Sequence, residues 1–321
     1  MNCRTNKQQG LSVLATTYLV LITAVLVLGF WLYNKYSYSG EHLVAKAFEY
    51  PSNYSPACSL EVSVASKKTA ADHLRIQADS KLAFSVTTPN NYRGDYAHPL
   101  LVVWAPSGFS EGLSERFTGL TGQATELGYV VVYVRSMPLS QKALGQLATV
   151  PSEVSREWCI DESRVFYTGH SDGGTVSNAL TVMTDLALAS KESASNDSTL
   201  NNSTLNNRTS HNIRPQAIAP SAMGMQGRDM AEFSCPQPTA IMLMHNRDDT
   251  HFPNFGESVI EWWAQCNQCS GGREAASYPL CEAYTGCAAP TLFCQAEGGH
   301  AHWPGFEHRV LDFFNGVDIS R

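Results

Sequence analysis

Charge is scarce in this chain: of its 321 residues, only 16% are Asp, Glu, Lys or Arg. No Asp or Glu stands before residue 36, and the 23 residues from Leu11 to Tyr33 carry no charge of either sign. As a helix that run is about 34 Å long, at roughly 1.5 Å per residue, which matches the hydrocarbon core of a bilayer. With no polar face to interrupt it, a buried core helix is disfavoured. A cleaved signal peptide would have a shorter apolar region followed by small residues. Here the run leads instead into Trp31, Tyr33, Tyr36 and Tyr38, which suit a membrane–water interface. Residues 1–35 are therefore expected to be a cytoplasmic tip and an uncleaved signal anchor. Basic charge is short as well. Beyond residue 35, 19 basic residues face 29 acidic ones, a net of −10. That balance excludes nucleic acid and anionic lipid headgroups as partners, leaving the amino-terminal helix as the only contact with a membrane.

What the chain has in number is cysteine. Cys3 stands alone before the uncharged run, and Cys58, Cys159, Cys235, Cys266, Cys269, Cys281, Cys287 and Cys294 follow it. Cys266-Asn-Gln-Cys269 has the spacing of a zinc half-site, but no second pair matches it and the other cysteines are irregularly placed. Up to four disulfides in an oxidising compartment is the better reading, with the pairing left open by the spacing. The amino terminus is then cytoplasmic and the bulk of the chain periplasmic or extracellular, or secreted if the anchor is cut.

Tyr36 to Ala57 reads as a juxtamembrane linker, and residues 58–321 as one domain. Apolar residues alternate at Leu60, Val62 and Val64, at Leu74 and Ile76, and at Leu82, Phe84 and Val86, as in half-buried strands. Continuous apolar runs follow at Leu100–Trp104 and Tyr129–Val134, then strand-like stretches at Arg164–Thr168, Ile213–Ala219, Thr239–His245 and Thr291–Gln295. Between them helices are expected over Ser114–Gly128, Gly173–Ser190, Phe255–Cys266 and Glu307–Phe314. Buried strands alternating with helices predict an α/β fold: a mostly parallel sheet with helices on both faces and an antiparallel amino-terminal edge. Residues 191–212, including "STLNNSTLNN", are polar and repetitive and read as a surface insertion. Asn196, Asn201, Asn202 and Asn207 there stand in Asn-x-Ser/Thr triplets that a eukaryotic secretory pathway could glycosylate.

The stretch "GHSDGG" from Gly169 to Gly174 lies between a predicted strand and a predicted helix. In that context Gly-x-Ser-x-Gly is a nucleophile elbow, with Gly169 and Gly173 allowing a tight turn and Ser171 held at its tip. The alternative is a glycine-rich loop without chemistry. A serine hydroxyl needs a base, and the base needs an orienting carboxylate. Both follow at later strand ends: Asp249 in "HNRDDTHFP" and His300 in "GGHAHWPG". The backbone amide of Asp172 would face a developing oxyanion. Asp248 reads as a loop-capping carboxylate, His245 as a packed, hydrogen-bonded core histidine, and Trp262 and Trp263 as core.

Together "GHSDGG", "HNRDDTHFP" and "GGHAHWPG" resemble the polyhydroxybutyrate depolymerase and feruloyl esterase branch of the α/β-hydrolases. The resemblance spans Phe84 to Phe314, with "CIDESRVFYTG" before the elbow and "PQAIAPSAMG" after it. It implies an α/β-hydrolase fold, Ser171 as nucleophile, Asp249 as acid and His300 as base. It further implies a second oxyanion donor at Gly108 or Phe109; Trp303 reads as a substrate-pocket wall or as a structural corner, and His302 and His251 as lining or bordering the site. Two positions depart from the pattern: Ser107-Gly108 where the branch has His-Gly, and Asn246 where it has Gly. The implied activity is hydrolysis of small-molecule or oligomeric carboxylic esters, with no metal or organic cofactor. The alternatives are a catalytically silent binding module and a serine peptidase on the same fold. Oligomeric state is left open.

Overall fold

The structure, a computed structural model, describes residues 18, 20–26, 28, 46–55, 57–58, 74–77, 82–183 and 213–317. The chain separates into two units, Met1–Val44 and Ala45–Arg321. In the first unit the described residues are helical, and Val20, Leu21, Ile22, Val25 and Leu26 are exposed. Among the described residues no helix is long and apolar enough to cross a membrane. The expected span over residues 11–33 lies largely outside them. So do the insertion at 191–212 and the alternating stretch at 60–64.

The second unit is built on a sheet whose described strands run β1 (Leu74–Gln77), β2 (Ala83–Thr87), β3 (His98–Trp104), β4 (Val130–Val134), β5 (Ile160–His170), β6 (Ala217–Ser221), β7 (Ala240–Met244), β8 (Arg273–Ala275), β9 (Cys281–Tyr284) and β10 (Thr291–Cys294). Their spatial order is β1-β2-β4-β3-β5-β6-β7-β10-β9-β8. Strands β4, β3, β5, β6, β7 and β10 pair in parallel. The antiparallel edge predicted at the amino-terminal side is β1 and β2.

Helices intervene in chain order: α1 (Glu111–Thr118), α2 (Thr121–Glu126), α3 (Gln141–Leu147), α4 (Val150–Glu157), α5 (Asp172–Val182), α6 (Gly227–Met230), α7 (Phe255–Cys266) and α8 (Glu307–Gly316). The continuous apolar runs are strands covered on both faces. Leu100, Val102 and Trp104 of β3 share a core with Val154 of α4, Val176 of α5 and Trp263 of α7. The alternate residues Leu101 and Val103 join Ala124 of α2 and Val310 and Phe314 of α8. Successive side chains of a strand point to opposite faces, so one apolar run feeds both cores.

Three features differ from expectation. The helix predicted over Ser114–Gly128 is two helices, because Gly119 adopts φ 65° and caps α1 by donating its N–H to Glu115 O. The hairpin of β8 and β9 was not predicted; its strands are short and polar, and it extends the sheet beyond β10. Residues 46–55, expected as part of the linker, lie against the domain. Phe48 and Asn91 exchange two hydrogen bonds, Phe48 N to Asn91 Oδ1 at 3.0 Å and Asn91 Nδ2 to Phe48 O at 2.8 Å. Tyr50 packs edge-on against Tyr96 and His98. The aromatic side chains of Phe48 and Tyr50 thus serve packing, while Trp31, Tyr33, Tyr36 and Tyr38 lie outside the described residues.

All eight cysteines past the uncharged run are paired: Cys58–Cys159, Cys235–Cys266, Cys269–Cys287 and Cys281–Cys294. The two sulfurs of Cys266-Asn-Gln-Cys269 belong to different disulfides, so this is not a metal pair. Four disulfides fit an oxidising, extracellular or periplasmic environment.

Candidate active site

Strand β5 ends at His170 and α5 begins at Asp172, leaving Ser171 alone at the turn with φ 56° and ψ −120°. Such a backbone costs a non-glycine residue on the order of 1–3 kcal/mol and persists only where its surroundings enforce it. Neighbouring glycines do so here. A Cβ on Gly169 would stand 2.6 Å from the Trp104 carbonyl oxygen, and one on Gly173 would run into the same oxygen. The elbow thus packs directly onto the end of β3. Ser171 N donates to Ser221 O at the end of β6, 2.9 Å away.

The other two residues arrive from the carboxyl ends of β7 and β10. His300 Nε2 lies 2.9 Å from Ser171 Oγ, and His300 Nδ1 lies 2.8 Å from Asp249 Oδ2. The Asp249 side chain is wholly buried. Its other oxygen, Oδ1, accepts from the amides of His251 and Phe252, both at 2.9 Å. Burial pushes this carboxyl up, but the His300 hydrogen bond, the Phe252 amide and the nearby imidazoles outweigh it and hold it below the ordinary carboxylate range. A carboxylate so held stays ionised and fixes the Nδ1–H tautomer of His300, leaving Nε2 free to accept the serine proton.

Of the two amides expected beside Asp172, that of Phe109 donates to Pro106 O at 3.0 Å in a turn that places Gly108 at φ 76°. The Phe109 donor is therefore already engaged. The amides of Gly108 and Asp172 make no hydrogen bond among the described residues.

The remaining candidates surround this centre. The exposed His251 ring lies 4.7 Å from that of His300, and Phe252 meets His300 edge-on at 4.9 Å. Trp303 stands 6.3 Å from His170 and 6.4 Å from Phe117, on the flank of the elbow. The His302 side chain is exposed over Gly298, and its carbonyl faces inward. Asp248 caps the adjoining loop by accepting from Gly298 N at 3.4 Å. His245 is buried but not hydrogen-bonded as expected: its Nε2 stands 3.6 Å from Asp249 Oδ2. Burial lowers its proton affinity, so it packs as a neutral ring. Trp263 is core, its Nε1 donating to Asn178 Oδ1 at 2.9 Å, while Trp262 is half-buried. Beside the elbow a small groove is lined by Ala105, Arg135, Met137, Leu139, Asp172 and Val176, among others.

Two residues at the centre carry no role in the sequence reading. His170 is buried between the Ser221 hydroxyl and the His300 carbonyl. Asn246, met only as a departure from a motif, donates to two carbonyls of the His300 loop. A histidine directly before the elbow serine was the available signal for the first.

No family model matches the chain, and no curated protein is similar to it at the level of sequence. Solved structures are similar in fold. An acetyl xylan esterase from Aspergillus awamori superposes with a TM-score of 0.53 at 13% identity, over 75% of this chain and 98% of that one. A thermostable esterase gives a TM-score of 0.51 at 13% identity, over 76% of this chain. The match spans 62% of that second protein. At such identity the likeness establishes a shared fold of the α/β-hydrolase type, and nothing about substrates.

Proposed function

We propose that this protein is a serine hydrolase of carboxylic esters, working through Ser171, His300 and Asp249. One observation carries the reading: an imidazole within hydrogen-bonding distance of a strained, elbow-borne hydroxyl on one side and of a buried carboxylate on the other. Ser171 Oγ attacks the ester carbonyl carbon while its proton passes to His300 Nε2. The carbonyl electrons move onto oxygen, and the free amides of Asp172 and Gly108 are the donors suited to hold that oxyanion. As the tetrahedral species collapses, the carbon–alkoxide bond breaks and His300 returns the proton to the departing alcohol. Water then repeats the sequence on the acyl-enzyme, with His300 as base. Asp249 stabilises the transient imidazolium.

The substrate class follows from the resemblance to depolymerases and feruloyl esterases: short hydroxyalkanoate oligomers, or feruloyl, acetyl and similar esters. The esterase names of the fold neighbours support esters over peptides. The uncharged run at 11–33 would anchor the protein, with its catalytic unit on the oxidising side of a membrane.

A fluorophosphonate probe tests the reading. The full chain should be labelled, and Ser171→Ala should not. Asp249→Asn should keep the fold and lower kcat on p-nitrophenyl acetate by about 10³–10⁴-fold, because the wrong imidazole tautomer is favoured. A wild-type chain that neither labels nor turns over esters would sink the proposal in favour of a silent binding module. Methyl ferulate and hydroxybutyrate oligomers, assayed alongside p-nitrophenyl esters, would identify the acyl group.

A further inference from the structure

His300 sits in the connection between β10, which ends at Cys294, and α8, which begins at Glu307. No strand or helix of its own fixes that loop. Beside the backbone bonds from Arg247 N to Ala296 O and Asp248 N to Gly298 O, two buried side chains brace it, one at the end of β5 and one in the loop after β7. His170 Nε2 meets the carbonyl oxygen of His300 at 2.6 Å. A carbonyl only accepts, so Nε2 carries the hydrogen, and Nδ1 accepts from Ser221 Oγ at 3.0 Å. Asn246 Nδ2 donates to Gly299 O at 3.1 Å and to His302 O at 2.8 Å. Both residues are 2% exposed, so a substrate does not reach them.

The placement in the chain gives these bonds their meaning. His170 immediately precedes the nucleophile, and Asn246 lies three residues before the acid. Each partner of His300 is thereby coupled, through its own loop, to the main chain that bears the imidazole. We propose that His170 and Asn246 are positioning residues for the base: by donating to the carbonyls of residues 299, 300 and 302 they fix the His300 ring against Ser171 and Asp249 together. The inference rests on the functional reading above. Asn246 supplies the side-chain donor that the Gly usual at this position lacks, so the departure from the motif becomes a strut. Removing either donor takes away a bond that ties these carbonyls down and lets the loop shift, and a displacement of about 1 Å costs on the order of 100-fold in rate.

The test compares the full chain with His170→Phe, Asn246→Asp, His170→Gln and Asn267→Asp. Asn246→Asp preserves shape but replaces the donor with an acceptor. His170→Gln retains a donor that can reach the same carbonyl. Asn267 is an equally buried amide far along the chain, bonded to Thr239 O and Thr291 Oγ1, and serves as a structural control. For His170→Phe and Asn246→Asp, the fluorophosphonate labelling rate and kcat should fall about 10- to 100-fold, with KM within about two-fold. His170→Gln should recover most of the loss. Asn267→Asp should lower the thermal midpoint and leave the labelling rate of the folded protein unchanged. Wild-type labelling with equal rates in His170→Phe and Asn246→Asp overturns the positioning roles alone. No labelling of wild type overturns the functional reading and the positioning roles with it. Should His170→Phe fail to fold, Asn246→Asp decides on the same two rates.

Discussion

Buried histidines give this protein a pH dependence that can be worked out residue by residue. Burial drags His98 and His170 from the ordinary 6.5 to about 4, against the pull of the carbonyls of Gly128 and His300 that they meet. Above pH 6.5 both are neutral, folded or unfolded, and nothing is at stake. As pH falls from 6.5 towards 4, the unfolded chain takes up protons that the folded chain refuses, so stability is lost across that window. Each histidine accounts for about 2 kcal/mol between pH 7 and pH 5. Urea unfolding at those two pH values should therefore give a lower free energy at pH 5, and His98→Gln should shrink the difference by about one histidine's share. An unchanged difference would mean that His98 titrates normally. At this scale the sequence was legible where a residue's geometry is local to a motif, as for the strained turn at Ser171. It was opaque where the task is set by a partner far along the chain. His170 matters through a carbonyl 130 positions away, a distance no spacing rule encodes.

Among the elements, glycines at two turns separate steric exclusion from backbone strain. Gly173 has no room for a methyl group, because the Trp104 carbonyl occupies the space. Gly119 has room, its nearest neighbour being Glu307 Cγ at 4.0 Å, and needs only its left-handed φ of 65°. Gly119→Ala is accordingly expected to cost about 1 kcal/mol. Gly173→Ala should cost about 3 kcal/mol or more, or give no soluble protein, since β3, β5 and α5 must separate to admit it. Denaturant midpoints of the two variants check the order, and a Gly173→Ala variant as stable as Gly119→Ala would refute the packing argument. The parallel strands were readable because burial on both faces leaves an uninterrupted apolar run, as in Leu100–Trp104. The hairpin of β8 and β9 was not. Its strands are 3 and 4 residues long, too short for alternation to register. Cys281–Cys294 and Cys269–Cys287 tie it down in pairings that spacing does not specify.

For the molecule as a whole, the Cys58–Cys159 bridge closes the widest loop, joining residues 101 apart. It also fastens the segment that leads into the sheet. The Cys58→Ser, Cys159→Ser double variant is expected to lose about 2–5 kcal/mol and to become cleavable within residues 46–58 under limited proteolysis. Wild-type resistance to cleavage there would mean that aromatic packing alone secures the segment. That packing lies at one end of the sheet. Phe48 lies against Gly128, just ahead of β4, and Tyr50 beside His98, the first residue of β3, at the amino ends of the central strands. Ser171, Asp249 and His300 follow the carboxyl ends of theirs. The stretch at Phe48 and Tyr50 thus meets the sheet at the end away from Ser171, Asp249 and His300.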